Sequence, residues 1–131
     1  MAMDKWQAQQ FYWSLFGLMA FNEETVPDFV PDGKGNSVEL VPPYITYQAV
    51  NGSLNGKLNA SARVWYKGNS WTPIYAKVSE IERNGDQDIP IDGGVMHVRV
   101  PVSNFAQPLG DPNDKELRTV ALSVEIEFLS N

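Results

Sequence analysis

The clearest pattern in the chain lies near its C-terminus. Val120, Leu122, Val124, Ile126 and Phe128 alternate with Thr119, Ala121, Ser123, Glu125 and Glu127. This period of two puts one face of a strand in the core and the other in water. Shorter stretches repeat the signal. Tyr44 to about Val50 is aromatic and β-branched, and it follows Pro42-Pro43, which hold the chain extended and disfavour helix at Val41. Asn51-Gly52 is a turn signal after it. Ala60 to Lys67 reads as a second strand, with Ala62, Val64 and Tyr66 on one side and Arg63, Trp65 and Lys67 on the other. Val95 to Val100 reads as a third.

Two segments carry helical spacing. From Asp4, a capping residue, to about Phe21 there is no proline, and Gly17 is the only glycine. Ala8, Tyr12, Leu15 and Met19 fall on one face and Trp6, Trp13, Phe16 and Ala20 on another, leaving Gln7, Gln9, Gln10 and Ser14 as a thin polar side. Such a helix fits a core position on a sheet, and its surplus of aromatics also fits docking on a neighbouring subunit. Its apolar run is well short of the ~20 residues of a membrane span. Thr72-Pro73 predicts the second helix, with Thr72 as cap and Pro73 at the first helical position. Ile74, Val78 and Ile81 mark its buried face, Lys77, Glu80 and Arg83 point outward, and Asn84-Gly85 is its stop.

The predicted fold class is α+β: an N-terminal helix, then a β-β-α-β-β core whose mainly antiparallel sheet is covered by helices on one face. A single domain spans residues 1–131, with the helix at 1–22, a proline-rich arm or loop at 23–43, and the sheet-and-helix core at 44–131. Asp86 to Gly94 reads as an acidic loop, and Val102 to about Glu116 as a long one.

Composition narrows the function. Hydrophobic residues make up 43% of 131 residues, the range of a folded domain. The net charge of −6 argues against sequence reading of nucleic acid, which needs clustered Lys and Arg. It does not exclude a protein that surrounds DNA loosely. There are no cysteines, hence no disulfides and no thiolate metal site. The N-terminus lacks the basic region of a signal peptide. His97, the single histidine, stands in a strand without a motif around it. Asp86, Asp88 and Asp92, and likewise Asp111, Asn113, Asp114 and Glu116, read as solvated loop acids, since neither set has the spacing of a helix-loop-helix calcium site. No catalytic, metal or cofactor residues are expected. Trp65, Tyr66 and Trp71 could stack a sugar or base, which makes a small ligand- or polymer-binding domain the alternative function.

The order Pro43-Tyr44-Ile45-Thr46-Tyr47-Gln48, a strand ending Val64-Trp65-Tyr66, a proline-started helix closing at Ile81-Glu82-Arg83-Asn84-Gly85, a short strand, and the terminal run Arg118 to Phe128 resembles the tail-terminator and neck (tail-completion) proteins of long-tailed bacteriophages. The resemblance covers roughly residues 40–130. It implies a non-enzymatic virion structural protein that assembles in the host cytoplasm. The expected assembly is a homo-oligomeric, commonly hexameric ring that caps the tail tube, joins tail to head and lets DNA pass through its lumen without sequence-specific binding. Its implied partners are tail-tube and head-connector proteins, with no membrane involved. The aromatic N-terminal helix and the proline-rich arm depart from the commonest pattern. Candidate subunit-contact residues are Trp6, Trp13, Phe16, Tyr44, Tyr47, Asp111 and Asp114.

Overall fold

The computed structural model describes residues 3–52, 56–111 and 113–130. The strands are β1 (Ala20–Asn22), β2 (Phe29–Pro31), β3 (Ser37–Glu39), β4 (Tyr44–Tyr47), β5 (Lys57–Lys67), β6 (Gln87–Ile91), β7 (Gly94–Arg99), β8 (Ala106–Asp111) and β9 (Asp114–Ser130). The helices are α1 (Lys5–Trp13) and α2 (Thr72–Asn84). Seven strands form one sheet in the order β1-β4-β5-β9-β7-β6, with β8 also on β9, while β2 and β3 form a separate two-stranded arm. All neighbours in the large sheet are antiparallel except β1 and β4, which run parallel.

This corrects the expected α+β class with its mainly antiparallel, helix-covered sheet. The protein is mostly β, 48% strand against 23% helix, with a curled mixed sheet and, among the described residues, only two short α-helices. The difference arises where turn-rich sequence hides short strands. The acidic stretch from Asp86 to Gly94 is β6 and a tight turn into β7, in register Asp88↔His97 and Ile91↔Gly94. The long loop from Val102 to Glu116 contains β8, and residues 23–43 contain the β2–β3 hairpin. The last strand begins well before its alternating core, at Asp114.

The first helix starts as its sequence predicts and stops early. Asp4 caps it through a capping box: the Gln7 N–H donates to Asp4 Oδ1 at 2.8 Å, and the Asp4 N–H to Gln7 Oε1 at 3.0 Å. After Trp13 the chain tightens into a 3-10 turn at Ser14–Phe16, and Gly17 takes φ +79°, the left-handed conformation glycine adopts without steric cost. The following residues then leave the helix to form β1, beside β4, with Ala20 opposite Ile45. In α2 the cap position belongs to Trp71, not Thr72, and the Ser70 hydroxyl accepts the Thr72 N–H. Lys77 is not a free surface residue. Its Nζ donates to the Phe16 carbonyl at 2.6 Å as well as pairing with Glu80 at 3.2 Å, which ties α2 to the 3-10 turn.

One core cluster joins α1, α2, β1, β4, β5, β6, β7 and β9. The even-numbered residues Val120 to Phe128 of β9 are all buried, as are Ala60, Ala62 and Val64 of β5 and Met96 and Val98 of β7. Each large side chain so buried contributes about 1.5–3 kcal/mol. Trp13 is stacked on Tyr47 at 6.5 Å, and Tyr12 meets Trp13 edge-on at 4.8 Å. The Tyr12 hydroxyl donates to the buried Gly85 carbonyl at 2.8 Å, joining α1 to the end of α2, and burial pushes its pKa well above the ordinary tyrosine range, with the Asp86 charge adding to the rise. Replacing Tyr12 with Phe strands that carbonyl without a partner. A loss of about 1–3 kcal/mol is expected, read as a lower urea midpoint with an unchanged slope.

Candidate functional site

The odd-numbered side of the β5–β9 pair faces away from the core, and cross-strand register sorts its side chains into rows. At one end Tyr44, Trp65, Thr119 and Leu109 lie opposite one another across β4, β5, β9 and β8. Phe21 meets Tyr44 edge-on at 6.2 Å and so extends the row to β1. The next row is Thr46, Arg63, Ala121 and Gln107. After it come Ser61 and Ser123. The last two rows are charged: Asn59, Glu125 and Arg99, then Lys57, Glu127, His97 and Asp88. The outer face therefore grades from aromatic through small and polar to charged.

The small residues in the middle make a trough. Ser61, Ala121 and Ser123 give the floor too little bulk to stay level with Trp65 and Tyr44, and a hollow of about 620 Å³ results. Glu23 and Val26 bound it beside β4, and Asn104 and Gln107 beside β8. The Trp65 ring is stacked on Tyr44 at 6.2 Å and 27°, and its Nε1 donates to Thr46 Oγ1 at 2.9 Å, so the aromatic end is fixed in orientation. Partial burial raises the Tyr44 hydroxyl pKa. Arg63 is exposed and has no ion pair or hydrogen bond through its side chain among the described residues. The trough thus presents an apolar end and one uncommitted cation.

At the charged end Asp88 is paired with both His97 and Arg99. Asp88 Oδ1 lies 2.6 Å from His97 Nδ1 and accepts from the Arg99 guanidinium at 3.2 Å. Arg99 also donates to the carbonyls of Gln87 and Val98. The hollow between Lys57, His97, Arg99, Glu125 and Glu127 is only about 60 Å³, too small for an organic substrate. Asp86 and the acids between β8 and β9 have local duties. Asp86 accepts the Val100 N–H, Asp111 the Asn113 N–H and Asp114 the Glu116 N–H, while Lys67 pairs with Asp114 at 3.7 Å. Among the described residues no three His, Cys, Asp or Glu side chains converge as a metal site.

The candidate contact residues separate into groups. Trp13, Phe16 and Tyr47 are buried in the chain's own core, at 0%, 2% and 4% exposure, so their side chains are spent internally. Tyr44 lines the trough, on the face opposite Tyr47. Trp6 is 51% exposed and borders a neighbouring hollow with Asn22, Glu23 and Gln48. Asp111 and Asp114 sit half-buried at the β8–β9 turn. The aromatic trio of the alternative function is divided. Trp65 is on the outer face, whereas Tyr66 and Trp71 pack against the core, with Trp71 stacked on Tyr75 and covered by the Arg118 guanidinium.

Residues 23–43 read in sequence as an arm or loop, and the strand pairing inside it was not legible there. Asp32-Gly33 and Lys34-Gly35-Asn36, which read as linker turns, close a hairpin in which Phe29 opposes Glu39 and Pro31 opposes Ser37. The Asp32 carboxylate accepts the Lys34 and Asn36 N–H groups, which holds its pKa below the usual range. The signal was two short β-rich runs flanking a glycine-containing turn. The arm leaves Phe29, Val38 and Val41 at 63%, 44% and 60% exposure.

No helix among the described residues is long and apolar enough to cross a membrane. Comparison of the chain with protein-family models, with curated proteins and with solved structures found no match.

The Arg99 hydrogen bond is the first cause that depresses the Asp88 pKa, followed on the lowering side by His97. A depressed native pKa gives stability that is present above the ordinary aspartate value and lost as pH falls through the native one. Arg99→Ala should raise the Asp88 pKa toward the ordinary value, measured from its carboxyl NMR titration. An unmoved titration would show that the ladder does not hold that charge.

Proposed function

We propose that this protein is a non-enzymatic structural subunit that joins copies of itself into a ring. Its place is the neck or tail terminus of a long-tailed bacteriophage, where the ring caps the tail tube and connects it to the head. The observation that carries the reading is the arm. The arm, whose β2–β3 hairpin lies outside the main sheet, holds Phe29, Val38 and Val41 in water, an arrangement that serves contact with another chain better than it serves the fold of its own. A hexamer with DNA passing through its lumen, and tail-tube and head-connector proteins above and below, completes the proposal.

The trough favours a second reading, a small ligand- or polymer-binding domain. Its aromatic end and polar floor suit a flat, hydroxyl-rich ligand. Saturable quenching of tryptophan fluorescence by a glycan would support that reading.

Native mass spectrometry and light scattering at tens of micromolar test the favoured one. One closed oligomer of fixed subunit number is expected, alone or on addition of tail-tube protein. Monomer under both conditions would sink it.

A further inference from the structure

We infer that the trough on the outer sheet face receives the β2–β3 arm of a second copy of this chain. The inference rests on the assembly reading and specifies its contact. The two surfaces are complementary in both charge and polarity. Beyond Glu23, which belongs to the trough wall, the arm carries the acids Glu24, Asp28, Asp32 and Glu39 against a single cation, Lys34. None of these four has an ion-pair partner among the described residues. The trough offers Arg63, equally without an ion pair, beside an apolar end made by Tyr44 and Trp65. An acidic arm with Phe29, Val38 and Val41 exposed meets on that surface both a cation for its carboxylates and aromatic faces for its apolar side chains.

Size and placement agree. A hollow of about 620 Å³ admits a few side chains of a narrow ribbon and not a folded domain. The arm's own position separates it from its own trough. Its root residues Glu23 and Val26 form one wall, while Phe29 and Leu40 border a different hollow, of about 510 Å³, on Tyr44. An incoming arm would therefore rest against the root of the receiving copy's arm, which points onward to the next. Arm and trough are different patches, so the contact is heterologous, the kind that propagates head to tail and closes as a ring when the rotation permits.

Two variants at exposed positions test this. Phe29→Ser with Val41→Ser disables the arm and leaves the trough, and Arg63→Glu with Ser61→Trp disables the trough and leaves the arm. Circular dichroism and melting temperature should match the unaltered protein in both. Each variant alone should lose self-association by at least about 30-fold in affinity. Mixed in equal amounts, the two should form a one-to-one heterodimer and nothing larger, because only one intact arm can meet one intact trough. If the unaltered protein assembles and either variant assembles equally well, the arm-in-trough contact is wrong while the ring reading stands. A mixture of monomers from an unaltered protein that assembles has the same meaning. An unaltered protein that stays monomeric, with or without tail-tube protein, overturns both.

Discussion

Strand β9 is paired along both of its edges, and the placement of almost everything else follows from that. One edge carries β5 in continuous register from Lys57↔Glu127 to Lys67↔Leu117. The other edge is shared end to end by β8, opposite Ala106↔Leu122 onward, and β7, opposite Arg99↔Glu125 onward. Between them the Phe105 carbonyl accepts the Ser123 N–H at 2.8 Å, so the change of partner leaves no gap in the ladder. A slip of one residue would turn every side chain of β9 to the wrong face. It would place Glu125 and Glu127 in the core and misalign both neighbours at once. The same strand therefore sets the buried layer and the graded outer face.

The N-terminal segment is locked to this sheet by polar side chains as much as by apolar ones. Gln9 is 1% exposed, and it accepts the Val50 N–H and donates to the Val50 carbonyl, both at 2.8 Å. A side-chain amide thus satisfies a backbone pair that has left the end of β4. Gln10 accepts from the Tyr47 hydroxyl at 2.6 Å and donates to the Ala20 carbonyl at 2.8 Å. Leaving the backbone groups that buried Gln9 satisfies unpaired would cost about 1–3 kcal/mol each. The glutamines help hold the short strands β1 and β4 against the helix layer.

The long strands were legible because each buries one face along its length, and period two survives in the residues themselves. Val120 to Phe128, Ala62 to Tyr66 and the apolar spacing of Ile74 and Ile81 could be read directly. The glutamines of α1 could not, since a polar side chain that clasps backbone looks in sequence like one that faces water. Gly17 was visible, but its left-handed conformation depends on β1 finding a parallel partner 25 positions away. The short strands β6 and β8 carry Pro90, Pro108 and Gly110, which signal loops and are tolerated here at sheet edges. For the site, Tyr44 and Trp65 could be named from sequence. The trough could not, because it is made by what is small at Ser61, Ala121 and Ser123 once three strands are in register.

Because β1 and β4 run parallel, the chain between them leaves one end of the pair and returns to the other. The arm is accordingly tethered at two separated points of the sheet. A tail held by one end must give up most of its freedom when it is captured, whereas a loop fixed at both ends, with its own hairpin already closed by Asp32, has surrendered much of that freedom in advance. The parallel pair thus acts as a hinge plate: it limits where the arm can point and lowers the entropy lost when it is held there.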